Sequence, residues 1–148
     1  MDDLRDLYQE MILDHYKNPR NFHIMEGANR RAEGYNPLCG DRVTVYLLIE
    51  NDTITDVSFE GSGCAICTAS TSVMTELLKG QSFEEAEALF ASFRGLVTAD
   101  PSATVENMGK LAAFTGVREF PVRIKCATLP WHTMLSALEN KHEPVTTE

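Results

Sequence analysis

The stretch DRVTVYLLIENDTITDVSFEGSGC, residues 41–64, decides the fold of this chain of 148 residues. Residues 41–50 alternate partly and are rich in Val, Tyr, Leu and Ile, and residues 53–60 repeat that character. Such segments are typical of β-strands. The short connection between them leaves room only for a tight turn, so the two strands are predicted to form an antiparallel hairpin.

Two thiols and a carboxylate stand at the open end of this hairpin. Cys39 and Asp41 lie at the start of the first predicted strand, and Cys64 follows the end of the second. Because one strand of an antiparallel pair leaves where the other returns, Cys39 and Cys64 are expected to lie close together. The alternative is two unrelated buried thiols, because cysteine is among the residue types that proteins bury most often.

Helical patterns occur on both sides of the hairpin. The first helix is amphipathic, and His15 lies on its apolar side, so His15 is expected in the core. Ser82 and Glu85 form a capping box before another helix, and Pro130 suits the first turn of the last one. The segment REFPVRIKC, residues 118–126, is predicted to be extended. The predicted helices are residues 3–17, 65–79, 83–93, 103–114 and 129–140.

The order of these elements indicates an α+β domain. Strands come early in the chain and helices late, so a small antiparallel sheet of about three strands should be covered on one face by about five helices. No repeat or linker divides residues 1–140, which are predicted to form one domain. The polar residues 141–148 are predicted to be a disordered tail.

The composition excludes several classes of function. A net charge of −9 argues against nucleic-acid binding, which needs clustered Lys and Arg. No apolar run approaches the roughly 20 residues of a membrane span, and the charged N-terminus has no signal-peptide core. The expected location is therefore the cytoplasm, away from membranes. Because the cytoplasm keeps thiols reduced, the four cysteines indicate metal binding or thiol chemistry rather than disulfides.

The surroundings of the cysteines suit a metal ion such as Zn²⁺. Cys64 precedes a helix N-terminus, which favours the thiolate, and Cys126 is expected just before the last helix. Thiolates and a carboxylate around Zn²⁺ would leave a net negative charge, which Arg42, Arg123 and Lys125 could offset.

The fourth cysteine, Cys67, has a different expected place. Cys64 and Cys67 have the spacing of half a zinc knuckle, but a structural zinc site normally shows two such pairs and this chain has one. Cys67 is therefore expected to pack in the core or directly beside the metal ligands. His132 is also expected outside the ligand set.

Four motifs occur in order over nearly the whole chain: LDHYKNPRN (13–21), NPLCGD (36–41), GSGCAICTASTSVM (61–74) and RIKCATLPW (123–131). Together they resemble the IscU/SufU (NifU N-terminal-like) family of iron–sulfur cluster assembly proteins. Lys125 precedes the last cysteine where the IscU scaffold branch has histidine, which is similar to the SufU branch. EFPVR (119–123) also departs from the scaffold branch, which has a Leu-Pro-Pro-Val-Lys chaperone-recognition segment there.

This resemblance implies a SufE/IscU-like fold and a zinc-dependent sulfurtransferase. Such a protein would accept persulfide sulfur from a SufS-type cysteine desulfurase and pass it toward downstream iron–sulfur scaffold proteins. Carried over residue by residue, the resemblance implies that Cys39, Asp41, Cys64 and Cys126 are the zinc ligands and that Cys39 is the sulfur acceptor. Cys67 departs from the family pattern, where serine is common.

Two alternatives use the same residues differently. An IscU-type scaffold would assemble a transient [2Fe–2S] cluster on the same four ligands. A purely structural zinc domain would use them only to hold the fold together for an interaction role.

Overall fold

The computed structural model of the chain describes residues 3–102, 108–141 and 143–146. Its helices and strands confirm the α+β prediction. Five helices, one of them a 3₁₀ helix, accompany a four-stranded sheet within these residues. The elements are α1 (Asp3–Lys17), β1 (Arg30–Asn36), β2 (Asp41–Glu50), β3 (Thr53–Ser62), α2 (Ala65–Leu78), α3 (Phe83–Thr98), the 3₁₀ helix (Gly109–Glu119), α4 (Pro121–Leu138) and β4 (Val145–Thr146).

The predicted hairpin is the centre of the sheet. Its strands β2 and β3 pair antiparallel in a sheet with the order β3-β2-β1-β4. Asn51 and Asp52 form the turn with φ angles of 52° and 60°, which suit the twist of a tight hairpin. At the other end Arg42 pairs with Ser62. The start of β2 and the end of β3 therefore lie side by side, as the sequence predicts.

Strand β1 is an element that the sequence analysis does not predict. It pairs antiparallel with β2 from Arg30 to Asn36, and only residues 37–40 form the turn. Its inward side chains are small or polar, which hides the strand from a search for apolar β-formers. Gly34 is buried, and a β-carbon there would collide with Thr133 and Leu129 of α4. The missing side chain allows α4 to lie directly on β1.

Helix α4 corrects the prediction that residues 118–126 are extended and that the last helix begins at residue 129. It begins at Pro121, so the segment predicted to be extended is mostly helical and Cys126 lies inside the helix. Pro121 occupies the first turn, where its missing N–H is not needed. Pro130 stands in the interior, so the carbonyl of Cys126 lacks the N–H that would normally bond to it.

The other boundaries differ in smaller ways. Helix α3 continues to Thr98, beyond the predicted residue 93, and its capping box of Ser82 and Glu85 is confirmed. Of the helix predicted at 103–114, residues 103–107 lie outside the described residues, and the rest belongs to the 3₁₀ helix. In the tail predicted to be disordered, Val145–Thr146 pairs in parallel with β1, while residues 142, 147 and 148 lie outside the described residues.

The core lies between the sheet and the helices. Trp131 of α4 stacks on Phe93 of α3, with ring centroids 4.9 Å apart. Ser70 of α2 donates a hydrogen bond to the Ala127 carbonyl at 2.6 Å and accepts one from Trp131 Nε1 at 3.1 Å. These bonds fix α4 against α2 next to Cys126. Among the described residues, no helix combines the length and the apolar character that crossing a bilayer requires.

The close approach of α4 to β1 gives a testable expectation. Gly34→Ala should lower the free energy of unfolding by about 1–3 kcal/mol, because the new methyl group overpacks the contact with Thr133. Gly27→Ala is the matched control, since a β-carbon there meets nothing within 4 Å. Denaturant unfolding of both variants measures the effect, and equal stabilities would contradict the packing described here.

Candidate metal centre

Three elements bring their reactive side chains to one corner of the sheet. Cys39 lies in the turn between β1 and β2, Asp41 is the first residue of β2, and Cys126 lies on α4. The two sulfurs and a carboxylate oxygen all lie within 4.8 Å of one another. Asp41 and Cys126 are buried, and Cys39 is half-buried. Of these three side chains, that of Cys39 in the turn is the one that solvent reaches.

The turn from Asn36 to Gly40 holds Cys39 by its backbone. The Asn36 carbonyl accepts a hydrogen bond from the Cys39 N–H at 3.3 Å, and Asn36 Oδ1 accepts one from the Leu38 N–H at 3.1 Å. Gly40 has φ +72°, a conformation that other residues adopt only with strain. In the sequence Asn-Pro-x-x-Gly, the asparagine thus stabilises the start of the turn by hydrogen bonds, and the glycine permits the backbone conformation at its end.

Asn36 is also a residue of the site, which sequence reasoning missed. Its side chain is fully buried, and Nδ2 donates to Cys126 Sγ at 3.7 Å. The same side chain therefore organises the turn and orients the thiol on α4. The only signal in the sequence is an asparagine before a proline, which by itself indicates a turn.

Cys64 joins the group through Asp41. Asp41 Oδ1 accepts a hydrogen bond from the Cys64 N–H at 2.8 Å, and Oδ2 lies 3.8 Å from Cys64 Sγ. A β-carbon on Gly63 would lie 2.7 Å from Asp41 Oδ1, so this position leaves no room for a side chain. The start of β2 and the end of β3 meet as expected and Cys64 contacts Asp41, but the Cys64 sulfur is not in the group of Cys39, Asp41 and Cys126 atoms that all lie within 4.8 Å of one another.

Cys64 and Cys67 both lie at the start of α2, but their thiols differ in pKa and in burial. Cys64 is the N-cap residue, and its sulfur accepts a hydrogen bond from the Cys67 N–H at 3.4 Å. The Cys126 thiol, together with N–H groups of this first turn, holds the pKa of Cys64 below its ordinary value. Burial raises the pKa of Cys67 well above its ordinary value. Cys67 packs in the core, as predicted.

Asp41 is a fully buried carboxyl group. No ion pair to it occurs among the described residues. Of the cations expected to offset the site charge, Arg42 lies over the ring of Tyr35 and Arg123 over that of Phe120. Burying a carboxylate alone costs several kcal/mol. A bound metal cation would remove that cost.

The donor atoms fit a tetrahedral metal such as zinc. Zinc bonds of about 2.3 Å to sulfur and 2.0 Å to oxygen place neighbouring ligand atoms roughly 3.5–3.8 Å apart. Cys39 Sγ and Cys126 Sγ are 3.1 Å apart, and Cys64 Sγ and Asp41 Oδ2 are 3.8 Å apart. The first distance is shorter than such an edge and the second matches one, and among the described residues the mutually close ligand atoms are those of Cys39, Asp41 and Cys126. Thiolates and a carboxylate are also donors that zinc accepts.

The described histidines lie away from this corner. His15 is buried as predicted, and its Nδ1 is 2.7 Å from Ser72 Oγ. The ring of His132 packs edge-on against Phe90. His23 is exposed and contacts its neighbouring backbone. His142 lies outside the described residues.

Comparison with known proteins places this corner in a wider context. The family model of the NifU-like N-terminal domain matches residues 7–127 of the sequence. The zinc-dependent sulfurtransferase SufU of Bacillus subtilis is 38% identical over 131 residues, which are 88% of each chain. The iron–sulfur cluster assembly scaffold protein IscU of Streptococcus pyogenes is 36% identical over 136 residues, covering 92% of this chain and 85% of that protein.

A solved structure has the same fold. It is the crystal structure of a SufU protein from Fervidobacterium islandicum AW-1, described as an iron–sulfur cluster assembly scaffold protein for the SUF system. The two chains superpose with a TM-score of 0.81 at 38% identity, covering 90% of this chain and 98% of the other. This similarity is consistent with the SufE/IscU-like fold that the motifs imply.

The crowding of Asp41 by the backbone predicts an effect on metal binding. Gly63→Ala should weaken Zn²⁺ affinity by about 10- to 100-fold, because the methyl group displaces the carboxylate from its hydrogen bond with Cys64. Gly116→Ala is the matched control, because a β-carbon there meets nothing within 4 Å. Competition titration with a chromophoric chelator measures both affinities. Unchanged affinity in Gly63→Ala would show that Asp41 does not contribute to the site.

Proposed function

The chain belongs to the family of NifU-like N-terminal domains, whose relatives include SufU and IscU proteins of iron–sulfur cluster assembly, and on this premise we propose that it is a zinc-dependent sulfurtransferase. It would accept persulfide sulfur from a SufS-type cysteine desulfurase. Cys39, Asp41, Cys64 and Cys126 would be the zinc ligands, and Cys39 the sulfur acceptor.

The position of Cys39 is the observation that carries the proposal. Its thiol is the member of the buried group that lies in a turn, and this turn contains a glycine with positive φ. The neighbouring Leu38 is 62% exposed. A partner protein can therefore approach Cys39 from outside, while Asp41 and Cys126 stay covered by the fold.

The transfer step needs little movement in this chain. Zinc, when bound, keeps its cysteine ligands as thiolates at neutral pH. The Cys39 thiolate attacks the outer sulfur of the persulfide on the desulfurase cysteine. A new S–S bond forms on Cys39, the donor S–S bond breaks, and the donor cysteine leaves as a thiolate. Asp41, Cys64 and Cys126 keep their places because each is anchored in a strand or at a helix.

Exposed apolar side chains at the β1–β2 turn and at the start of α4 support a protein partner. Tyr35, Leu38, Phe120 and Val122 are all exposed, although each is large and apolar. Exposed apolar groups of this kind are typical of protein interfaces. We propose the desulfurase as the partner on this side and a downstream iron–sulfur scaffold as a later one. Both would meet the chain in the cytoplasm.

A second candidate function is assembly of a transient [2Fe–2S] cluster. The 36% identity to the Streptococcus pyogenes scaffold protein favours it, and thiolates are also the usual ligands of such clusters. Anaerobic purification separates the two functions. A colourless zinc protein supports the transferase, whereas visible absorption with bound iron supports the scaffold.

The acceptor assignment can be tested by mass spectrometry. After incubation with desulfurase and cysteine, the wild type should gain the mass of one sulfur atom on the tryptic peptide of residues 32–42, which contains Cys39 alone among the cysteines. Cys39→Ala should lose this adduct and the stimulation of the desulfurase, because the acceptor thiol is gone. Asp41→Ala should still accept sulfur, since it retains Cys39. An adduct that persists in Cys39→Ala on another peptide would refute the assignment.

Removal of the metal should destabilise the fold without unfolding it. The site links the hairpin to α4. A metal present at a thousand times its Kd should raise the free energy of unfolding by about 4 kcal/mol. In a domain of this size, this corresponds to a fall in Tm of roughly 8–16 °C on removal. The large separate core should keep the metal-free chain folded. Thermal melts before and after chelation, with zinc loss confirmed, measure the shift. An unchanged Tm would contradict a linking role.

A further inference from the structure

The transfer step proposed above does not use the thiol of Cys67. Cys64 and Cys67 form a Cys-x-x-Cys pair at the start of α2, and the Cys64 sulfur already accepts the Cys67 N–H at 3.4 Å. Cys64 is half-buried, whereas Cys67 is 3% exposed. In such a pair the outer cysteine can carry a group that the inner cysteine then displaces.

We propose that Cys67 is a resolving thiol that releases the accepted sulfur as sulfide by forming a disulfide with Cys64. The inference rests on the proposed function for the supply of persulfide. It adds a second step, in which the accepted sulfur is reduced and released. The chain can then deliver sulfide as well as a persulfide.

The sulfurs lie in an order that suits this route. Cys39 Sγ is 3.1 Å from Cys126 Sγ, and Cys64 reaches the same corner through Asp41, whose Oδ1 accepts its N–H at 2.8 Å and whose Oδ2 lies 3.8 Å from its Sγ. The outer sulfur can pass along these contacts by thiol–persulfide exchange, in which each accepting thiolate becomes a persulfide and each donor becomes a thiolate. The exchange ends on Cys64, the member of the group next to Cys67.

The discharge step balances without an outside oxidant. The Cys67 sulfur attacks the inner sulfur of the Cys64 persulfide. The Cys64–Cys67 bond forms, the bond to the outer sulfur breaks, and that sulfur leaves as sulfide with the proton of Cys67. The two electrons come from the Cys67 and Cys64 thiols, and the sulfane sulfur is reduced. A dithiol reductant then restores both cysteines for another cycle.

The positions of the two cysteines explain why Cys67 would act on Cys64 alone. Its burial in the core hides it from thiols in solution, but an attack within the same helical turn needs no access from outside. Cys64 lies on the more open side, which gives the sulfide a way out. Because the disulfide removes Cys64 from the proposed ligand set, sulfide release should be accompanied by loss of zinc.

Polysulfide loading tests this step without the desulfurase. The zinc-containing protein is loaded with inorganic polysulfide under anaerobic conditions, desalted, and followed for sulfide and released zinc. Trypsin places Cys39 in residues 32–42, Cys126 in residues 126–141, and both Cys64 and Cys67 in residues 43–79. The wild type should release sulfide and zinc while an internal disulfide appears in the 43–79 peptide.

The variants Cys67→Ser and Cys67→Ala provide the comparison. Both should lose sulfide release and retain the sulfane sulfur, because no thiol resolves the Cys64 persulfide. Two substitutions guard against a folding defect peculiar to one of them, and circular dichroism checks the fold of each. Sulfide release from either folded variant at the wild-type rate would overturn the proposal.

Other outcomes are equally decisive. A disulfide between the 32–42 and 126–141 peptides, or a wild type that keeps its persulfide or takes up no sulfur from polysulfide, would also overturn it. If polysulfide produces sulfide and the internal disulfide but desulfurase with cysteine loads no sulfur, the proposed function is wrong and the discharge step stands.

Discussion

A fully buried carboxylate, for which the described part of the chain shows no ion-pair partner, is the constraint on which this corner of the molecule depends. Asp41 has no exposed surface, and its Oδ1 accepts a hydrogen bond from the Cys64 N–H at 2.8 Å. Burial of one uncompensated charge costs several kcal/mol, a large share of the 5–15 kcal/mol that stabilises a typical domain. A cation bound among the surrounding thiols would offset that cost.

Every element around Asp41 is placed to bring sulfur to it. The β1–β2 turn supplies Cys39, the end of β3 leads directly to Cys64, and the contact of α4 with β1 at Gly34 brings Cys126 inward. Asn36 connects the turn to α4 through the Cys126 sulfur. Rigid strands and helices hold the buried donors, and the turn holds the accessible one. In the proposed transfer, this division would allow the thiol in the turn to meet a partner first, while the others still hold the site.

The sequence predicts the parts of the fold that depend on local pattern. The hairpin follows from its β-branched residues, and its antiparallel pairing brings Cys64 next to Asp41. Strand β1 could not be predicted because RRAEGYN contains poor β-formers; pairing with β2 and the packing of Gly34 on α4 create it. Tertiary contacts here override local preference.

The start of α4 was missed for a related reason. Val122 and Ile124 alternate like strand residues, and Pro130 resembles the first turn of a helix, although Pro121 holds that position. The contribution of Asn36 also depends on a long-range contact, with Cys126 on α4. From the sequence, Asn36 can be recognised only as the first residue of a turn. Its contact with Cys126 depends on the packing of α4 and could not be predicted.

Zinc K-edge X-ray absorption on the protein as purified tests the central claim most directly. The account predicts a single zinc ion with three sulfur ligands at about 2.3 Å and one oxygen ligand at about 2.0 Å. Four sulfur ligands would place Cys67 where Asp41 is assigned. A shell of nitrogen and oxygen alone, or the absence of bound metal, would contradict the account.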